Sequence, residues 1–329
     1  MRRGLFSLQG TVLLLAGCAG PQSALDPQGS AAIAIDRLNG IMTVGGALIL
    51  LLVLALTAYA LLAAPETRGW LGSRRTILWG GIAFPTVTVT ALLIYGLLVA
   101  RGIVTPAVGE DVQRVEVVGE QFWWRVRYLD DDGRVLFETA NELHLPVGRT
   151  VELALTSADV IHSFWVPALA GKLDMIPGRT NILRLRAERA GVYRGQCTEF
   201  CGVQHARMAF HAVALEAEAY DAWLREASGP AVEPATSGLR EGRERFLQLG
   251  CGACHAVRGT GAAGVLGPDL TRIGSRQSLG AGMMPVTAEN LAAWIADSQH
   301  LKPGNLMPPF DMLPDGEAQA IARYLESLK

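Results

Sequence analysis

Between residues 197 and 208 the chain reads Cys197-Thr198-Glu199-Phe200-Cys201-Gly202-Val203-Gln204-His205-Ala206-Arg207-Met208. Two thiols, an imidazole and a thioether therefore fall within twelve residues. Soft sulfur with imidazole suits copper better than magnesium or calcium. The two cysteines stand four positions apart, so two thiolates can bridge two copper ions. Each ion then needs one imidazole and one weak ligand. His205 supplies one imidazole, and the other must come from elsewhere in the chain. Zinc also takes Cys and His, but it leaves Met208 without a role. A disulfide between Cys197 and Cys201 is the plainest alternative.

A second cluster is Cys251-Gly252-Ala253-Cys254-His255. This spacing is that of a c-type haem attachment site. Both thiols bond to the haem vinyl groups, and the adjacent imidazole becomes an axial iron ligand. A redox dithiol or half a zinc site would use the two cysteines but not the trailing histidine. The second axial position suits a thioether, which raises the potential. Met283, Met284, Met307 and Met312 all follow the motif.

The elements that position these groups fall into four stretches. Arg2 and Arg3, an apolar run and Leu15-Ala16-Gly17-Cys18 form an export signal over residues 1–17, with Cys18 as the expected lipidation site. Residues 38–65 and 76–100 carry no charge over 28 and 25 positions. About 20 apolar residues span a bilayer as a helix, so both are long enough. Arg68, Arg74 and Arg75 lie between them, which places that loop in the cytoplasm and the rest of the chain outside. The expected layout is a transmembrane helical hairpin in the lipid bilayer over 18–108, anchored in a bacterial inner membrane with its C-terminal body on the periplasmic side.

From residue 109 the pattern becomes alternating short strands. Arg114 to Val118, Trp124 to Tyr128, Val135 to Phe137, Thr150 to Leu155 and Asn181 to Arg186 are five of them, with a turn at Asp130-Asp131-Asp132-Gly133. Strands at this spacing predict an all-β Greek-key sandwich over 109–227. His162, in His162-Ser163-Phe164-Trp165-Val166-Pro167, supplies the missing imidazole. Residues 228–238 form a Pro/Gly/Ser linker, expected to be flexible and to reach roughly 18 Å. Helical patterning over 239–249, 287–298 and 315–328 predicts an all-α domain over 239–329. Thr287 and Asp315 are the expected caps of the last two helices.

Composition bounds the function. The chain has 329 residues, a net charge of −2 and only 18% charged residues. Nucleic acid is therefore excluded as a partner. Each of the five cysteines has a job in this scheme, which fits cofactor chemistry outside the cytosol better than a disulfide scaffold.

With these residues in place, the chain resembles subunit II of haem–copper cytochrome c oxidase, in the caa-type variant with a fused C-terminal cytochrome c. The resemblance implies a cupredoxin domain with a binuclear CuA centre. Cys197 and Cys201 would bridge both coppers. His162 and Met208 would complete one, and His205 with the Glu199 carbonyl the other. The Glu199 side chain would face a magnesium ion shared with the catalytic subunit. Asp159 and Asp174 match acidic positions of the family near the domain surface. The C-terminal segment resembles a class I cytochrome c, whose methionine loop precedes the last helix. That implies Met307 as the partner of His255 on the iron, with Cys251 and Cys254 holding the haem c. The family places a tryptophan directly after the glutamine of its aromatic segment as the point of electron input. Here Gly119-Glu120-Gln121-Phe122-Trp123-Trp124 puts Phe122 there, with Trp123 and Trp124 beside it.

The implied function is to pass electrons from haem c to CuA and on to subunit I, where oxygen is reduced to water. The chain has no catalytic residues of its own. Other oxidase subunits would be partners, and cytochrome c or a quinol–cytochrome c reductase the donor. A CuA-containing nitric oxide reductase would use the same chain, and a membrane-tethered copper assembly protein would need no haem.

Overall fold

The computed structural model describes residues 19–104, 112–314 and 316–329. The expected signal segment, Cys18 and the capping Asp315 lie outside the described residues. Among the described residues, two helices are long and apolar enough to cross a membrane: Ser30–Leu62, here α1, and Arg74–Val104. The regular part of the second, α2, is Phe84–Val104, preceded by a wide-turned stretch over Ile77–Ala83. Pro85 explains the widening. It has no N–H to return to Gly81, and its ring would crowd that carbonyl in a regular α-turn.

The segment before α1 differs from the expected layout. The helix begins at Ser30 rather than at residue 38, and it runs through Asp36 and Arg37. The residues ahead of it lie along the β domain. Arg194 N–H donates to Pro21 O (2.9 Å), Gln28 N–H to Ala168 O (2.7 Å), Glu188 N–H to Gln28 O (2.8 Å) and Ser30 N–H to Arg186 O (3.1 Å). Ala31 and Ala32 are buried. The charge-free run marked the apolar stretch, but protein contacts carry the helix start past it.

Among the described residues, ten strands build two five-stranded sheets. One has the order β3 (Val135–Ala140), β2 (Trp123–Leu129), β1 (Val112–Glu120), β5 (Thr150–Ser157), β8 (Asn181–Leu185). The other runs β4 (Glu142–Pro146), β10 (Ala209–Leu215), β9 (Gly191–Cys197), β6 (His162–Trp165), β7 (Leu173–Met175). Alternation drives the burial: Val151, Leu153 and Leu155 of β5 face inward with Val115 and Val117 of β1. Trp124 fills the core edge-on to Phe164 and 5.0 Å from Phe210. The pairing of β1 with β5 and of β4 with β10 is parallel, the crossover signature of a cupredoxin-like sandwich.

Helix α3 (Ala217–Ser228), which periodicity did not single out, closes the sandwich. Its Trp223 stacks on His144 (3.9 Å) and meets Tyr128, Phe137 and Tyr220. Three further helices, α4 (Ser237–Gln248), α5 (Ala288–Leu301) and α6 (Glu317–Ser327), form the C-terminal domain around Phe246, Ile295, Ile321 and Leu325. Thr236 and Thr287 cap α4 and α5 through their hydroxyls. Helix α5 breaks at Asp297, whose carboxylate caps a last turn ending at Leu301.

The linker is not the loose tether its composition predicts. Ala231 N–H donates to Arg258 O (2.8 Å), and Arg272 reaches Glu226 O (2.7 Å) and Pro230 O (3.2 Å). Arginines from the all-α domain thus satisfy carbonyls that would otherwise be solvated, and the two domains pack as one unit.

The stack of His144 on Trp223 has a pH consequence. Burial pushes His144 down from 6.5 to about 3. The unfolded chain therefore binds a proton near pH 6.5 that the folded chain refuses until about pH 3. Stability is full above the higher value and is lost as pH falls toward the lower. His144→Phe, which keeps a ring on Trp223, is expected to flatten this acid-side slope by up to one proton. Denaturant unfolding of the β domain across that pH range checks it.

Candidate copper and haem sites

Three strands of the second sheet bring the sulfur and imidazole groups together. Cys197 ends β9 and Met208 directly precedes β10, so the intervening loop is the connection of an antiparallel pair, closed by Cys197 N–H to Met208 O (2.9 Å). Strand β6 lies beside β9 with Phe164 opposite Cys197, which sets His162 two residues along, and Thr198 N–H donates to Ser163 O (3.1 Å).

The resulting cluster is compact. The Sγ atoms of Cys197 and Cys201 are 3.8 Å apart. Cys197 Sγ lies 3.8 Å from His162 Nδ1 and 3.2 Å from Glu199 O. Cys201 Sγ lies 3.7 Å from both His205 Nδ1 and Met208 Sδ. Cys197, Cys201, His162 and Met208 are buried. A disulfide needs sulfurs about 2.05 Å apart, so these are two separate thiols. The facing Cys201 thiol holds Cys197 well below the usual thiol range, assisted by His162 and by backbone groups. Cys201 is raised by the same contact. Burial pulls His162 down, but Cys197 and Asp159 outweigh it and the imidazole is raised overall. The donor set fits copper: soft sulfurs and ring nitrogens converge on one dry space, and His162, Cys197 and Cys201 group within 4.8 Å.

Asp159 works behind these groups. Its Oδ1 lies 2.8 Å from His162 Nε2, leaving Nδ1 toward the sulfurs, and its Oδ2 accepts from Gln121 N–H (2.6 Å). Gln121 Nε2 in turn donates to Cys201 O (2.5 Å). The sequence marked Asp159 only as an acidic surface position. Asp174 is half-buried on β7 and pairs with Lys172 at 3.5 Å. The Glu199 side chain is exposed and joins no group of three or more ligand side chains among the described residues.

The three aromatics separate. Trp124 is core. Trp123 lies under the Arg125 guanidinium, 4.7 Å from the ring centre. Phe122 is 4% exposed and sits against Gly202 of the ligand loop, where a Cβ would stand 3.1 Å from its ring.

In the all-α domain Cys251 is half-buried, Cys254 exposed, and both are free thiols. His255 Nδ1 is 2.8 Å from Pro268 O. That bond fixes the tautomer and leaves Nε2 for a metal. Burial lowers His255, favouring the neutral ligand form. Gly267 lies flat on the imidazole, where a Cβ would come within 2.5 Å of the ring. Met307 and Met284 both pack, half-buried, against the apolar cluster that also receives Cys251, whereas Met312 is 76% exposed. The Met307 loop is pinned: its N–H donates to Asn305 Oδ1 (2.8 Å), and its carbonyl accepts from Ser298 Oγ (2.9 Å) and Gln299 Nε2 (2.8 Å). These residues fit a covalently held haem.

A cupredoxin-like domain with a dithiol–imidazole cluster, a CxxCH domain and two membrane-length helices define a membrane-anchored electron-transfer protein. Comparison with known proteins makes this specific. The family described as cytochrome c oxidase subunit II, periplasmic domain, matches residues 120–215, and the cytochrome c family matches residues 239–329. Cytochrome c oxidase subunit 2 of Alkalihalophilus pseudofirmus is 41% identical over 248 residues, covering 75% of this chain and 69% of that protein. The Bacillus subtilis subunit 2 is 33% identical over 230 residues, covering 67% of this chain and 63% of its own length. The crystal structure of the periplasmic domain of subunit II from Bradyrhizobium japonicum is 32% identical, covers 35% of this chain and 92% of that one, and aligns with a TM-score of 0.33. The chain belongs to the cytochrome c oxidase subunit 2 family. It is an inner-membrane electron-transfer subunit of a haem–copper terminal oxidase complex, with a fused cytochrome c domain and the catalytic site elsewhere in the complex.

Removing the carboxylate behind a metal-facing histidine typically costs about 10–100-fold in metal affinity. Asp159→Ala is expected to weaken retention of a soft metal ion by that factor while leaving haem attachment unchanged. Competition with a chelator, read beside the haem absorbance, measures both.

Proposed function

We propose that His162, Cys197, Cys201, His205, Met208 and the Glu199 carbonyl hold a binuclear copper centre that receives electrons from a haem c on Cys251, Cys254, His255 and Met307. The observation that carries this is the pair of buried sulfurs 3.8 Å apart, each with an imidazole nitrogen within 3.8 Å. When bound, such a centre supplies a one-electron store spread over two metals. The chain's own contribution is rigidity. Strands β6, β9 and β10 fix the donors, Asp159 orients His162, and burial keeps water from the sulfurs. Little need move when charge changes, which favours fast transfer.

The remaining assignments follow the family resemblance. Cytochrome c or a quinol–cytochrome c reductase reduces haem c, and electrons pass from there to the copper centre past Phe122, with Trp123 beside it. The exposed Glu199 carboxylate offers one ligand to a magnesium ion whose other ligands belong to the catalytic subunit. Phe200, 77% exposed beside it, gives that face an apolar contact for another subunit. The domains run 109–227 for copper, 228–238 for the linker and 239–329 for haem.

Two substitutions test the ligands. Cys197→Ser is expected to abolish the delocalised copper signal, and a surviving seven-line electron paramagnetic resonance pattern would show that Cys197 is not a bridge. Met307→Ala is expected to remove the near-infrared sulfur-to-iron band of the oxidised haem, whereas Met284→Ala keeps it. The reverse outcome moves the ligand to Met284.

A further inference from the structure

The copper and haem domains are drawn together at one side chain that no ligand assignment uses. Lys302 follows α5 and is 2% exposed. Its Nζ donates to Phe122 O (2.8 Å), Arg207 O (2.9 Å) and Gly280 O (2.8 Å). The first carbonyl belongs to the aromatic segment and the second to the turn between His205 and Met208. The third belongs to a haem-domain loop that itself meets the copper domain. An ammonium has three N–H groups and no acceptor, so three converging carbonyls satisfy it completely. None of the three is a carboxylate. A lysine is among the residues least often buried without an ionic partner, and burial pulls this one down to about 7. A neutral side chain would fill the same space without that cost, so the hydrogen bonds are what the position selects.

The surrounding contacts depend on the same register. Arg207 Nη1 donates to Leu301 O (3.0 Å), next to Lys302. Gly304 lies against Val203 and Phe122, where a Cβ would stand 3.1 Å from Val203 Cγ2. Ala209 N–H donates to Ala281 O (3.0 Å), one residue from Gly280. Further along the same face, Ser278 Oγ lies 3.3 Å from His211 Nδ1, and Gln277 N–H donates to Glu142 Oε2 (2.8 Å).

We propose that Lys302 is a positioning residue that registers the haem domain on the Gln121–Phe122 segment and the copper-ligand loop, so that electrons pass through one fixed contact instead of a tethered encounter. The electron-transfer half rests on the site assignments above. The docking half does not.

The test uses the full chain with Lys302→Met, which keeps an unbranched stem and removes the donors, and Lys302→Arg. A planar guanidinium cannot send three N–H groups from one atom to three converging carbonyls, so Arg is expected not to rescue. The first readout is amide hydrogen exchange. Opening of the contact should speed exchange at Ala209 and Gln277 by about tenfold or more, with β1 and β5 unchanged. Parent-like exchange at both amides in either variant overturns the docking role, whatever metals are bound. The second readout is the rate of electron redistribution between the two centres after rapid photoreduction. Loss of register should slow it by about tenfold or more with both optical spectra unaltered. A parent-like rate with intact spectra overturns the positioning role. A parent chain lacking the copper or haem spectra would instead refute the site assignments, and the exchange readout would still decide the docking. Should Lys302→Met not fold, Lys302→Arg carries both readouts, and parent-like values in it overturn the proposal.

Discussion

Two thiol sulfurs facing each other across 3.8 Å in a dry interior are the arrangement on which the rest of the copper domain depends. Left to themselves, such groups would oxidise to a disulfide or open the loop to water. The backbone holds the loop at each end. Cys197 is the last residue of β9, and its N–H is spent on Met208 O. Cys201 is held through its carbonyl by Gln121 Nε2, and Gly202, at φ 126, lets the chain turn away directly afterwards. The loop is thus fixed at both sulfurs by bonds that do not involve the thiols. The same hairpin accounts for the sheet order. A partner strand carrying the second imidazole must lie next to β9, and β6 does.

The haem domain extends this logic beyond the sandwich. A free tether would hold the two redox sites at a millimolar effective concentration, and each transfer would wait for an encounter. The observed contact replaces the wait with a standing geometry. Its polar groups are mostly backbone: carbonyls of 122, 207, 280, 281 and 301 and the amides of 209 and 277. Backbone recognition tolerates side-chain drift on both surfaces, provided the few side chains that reach across are kept. Lys302, Arg207, Glu142 and the Ser278–His211 pair are among those side chains. Arg125 is another, paired with Glu120 and Glu138 at 2.5 Å each and donating to Val265 O at 3.0 Å.

What could be read in advance divides along the same line. Spacing in sequence reports groups that are close because they are local. Cys197, Cys201, His205 and Met208 share one loop, and Cys251, Cys254 and His255 share one turn, so both clusters were legible. His162 was found only because the loop lacked an imidazole. Strands β9 and β10 escaped notice because one carries two glycines and the other three alanines, so neither shows a strong alternation of large side chains. Helix α3 was missed although its Trp223 closes the sandwich. Lys302 sits in a Pro-Gly loop where a lysine reads as solvated, and no local pattern reports three carbonyls from segments 22 to 180 positions away. The linker failed for the opposite reason. Its composition is that of a loose chain, but Arg272 of the next domain binds the Pro230 carbonyl and the Arg258 carbonyl accepts from Ala231 N–H.

The phenylalanine at position 122 follows from the docking. An indole buried at an interface wants a hydrogen-bond partner for its N–H. Around residue 122 the backbone acceptors are already engaged: Lys302 holds the carbonyls of 122 and 207, and Gln121 holds that of 201. The ring itself rests on Gly202 on one side and faces Gly304 of the haem domain on the other, where a Cβ would stand 3.8 Å from it. A tryptophan there would bring an N–H that needs a partner and a larger ring into the slot between two glycines. A phenyl ring fills the slot and asks for nothing polar. On a surface that a separate donor visits by diffusion, the same position would be wet, and an indole would carry no such cost. The phenyl ring at this residue and the covered state of the surface thus fit one constraint, a haem domain packed against it.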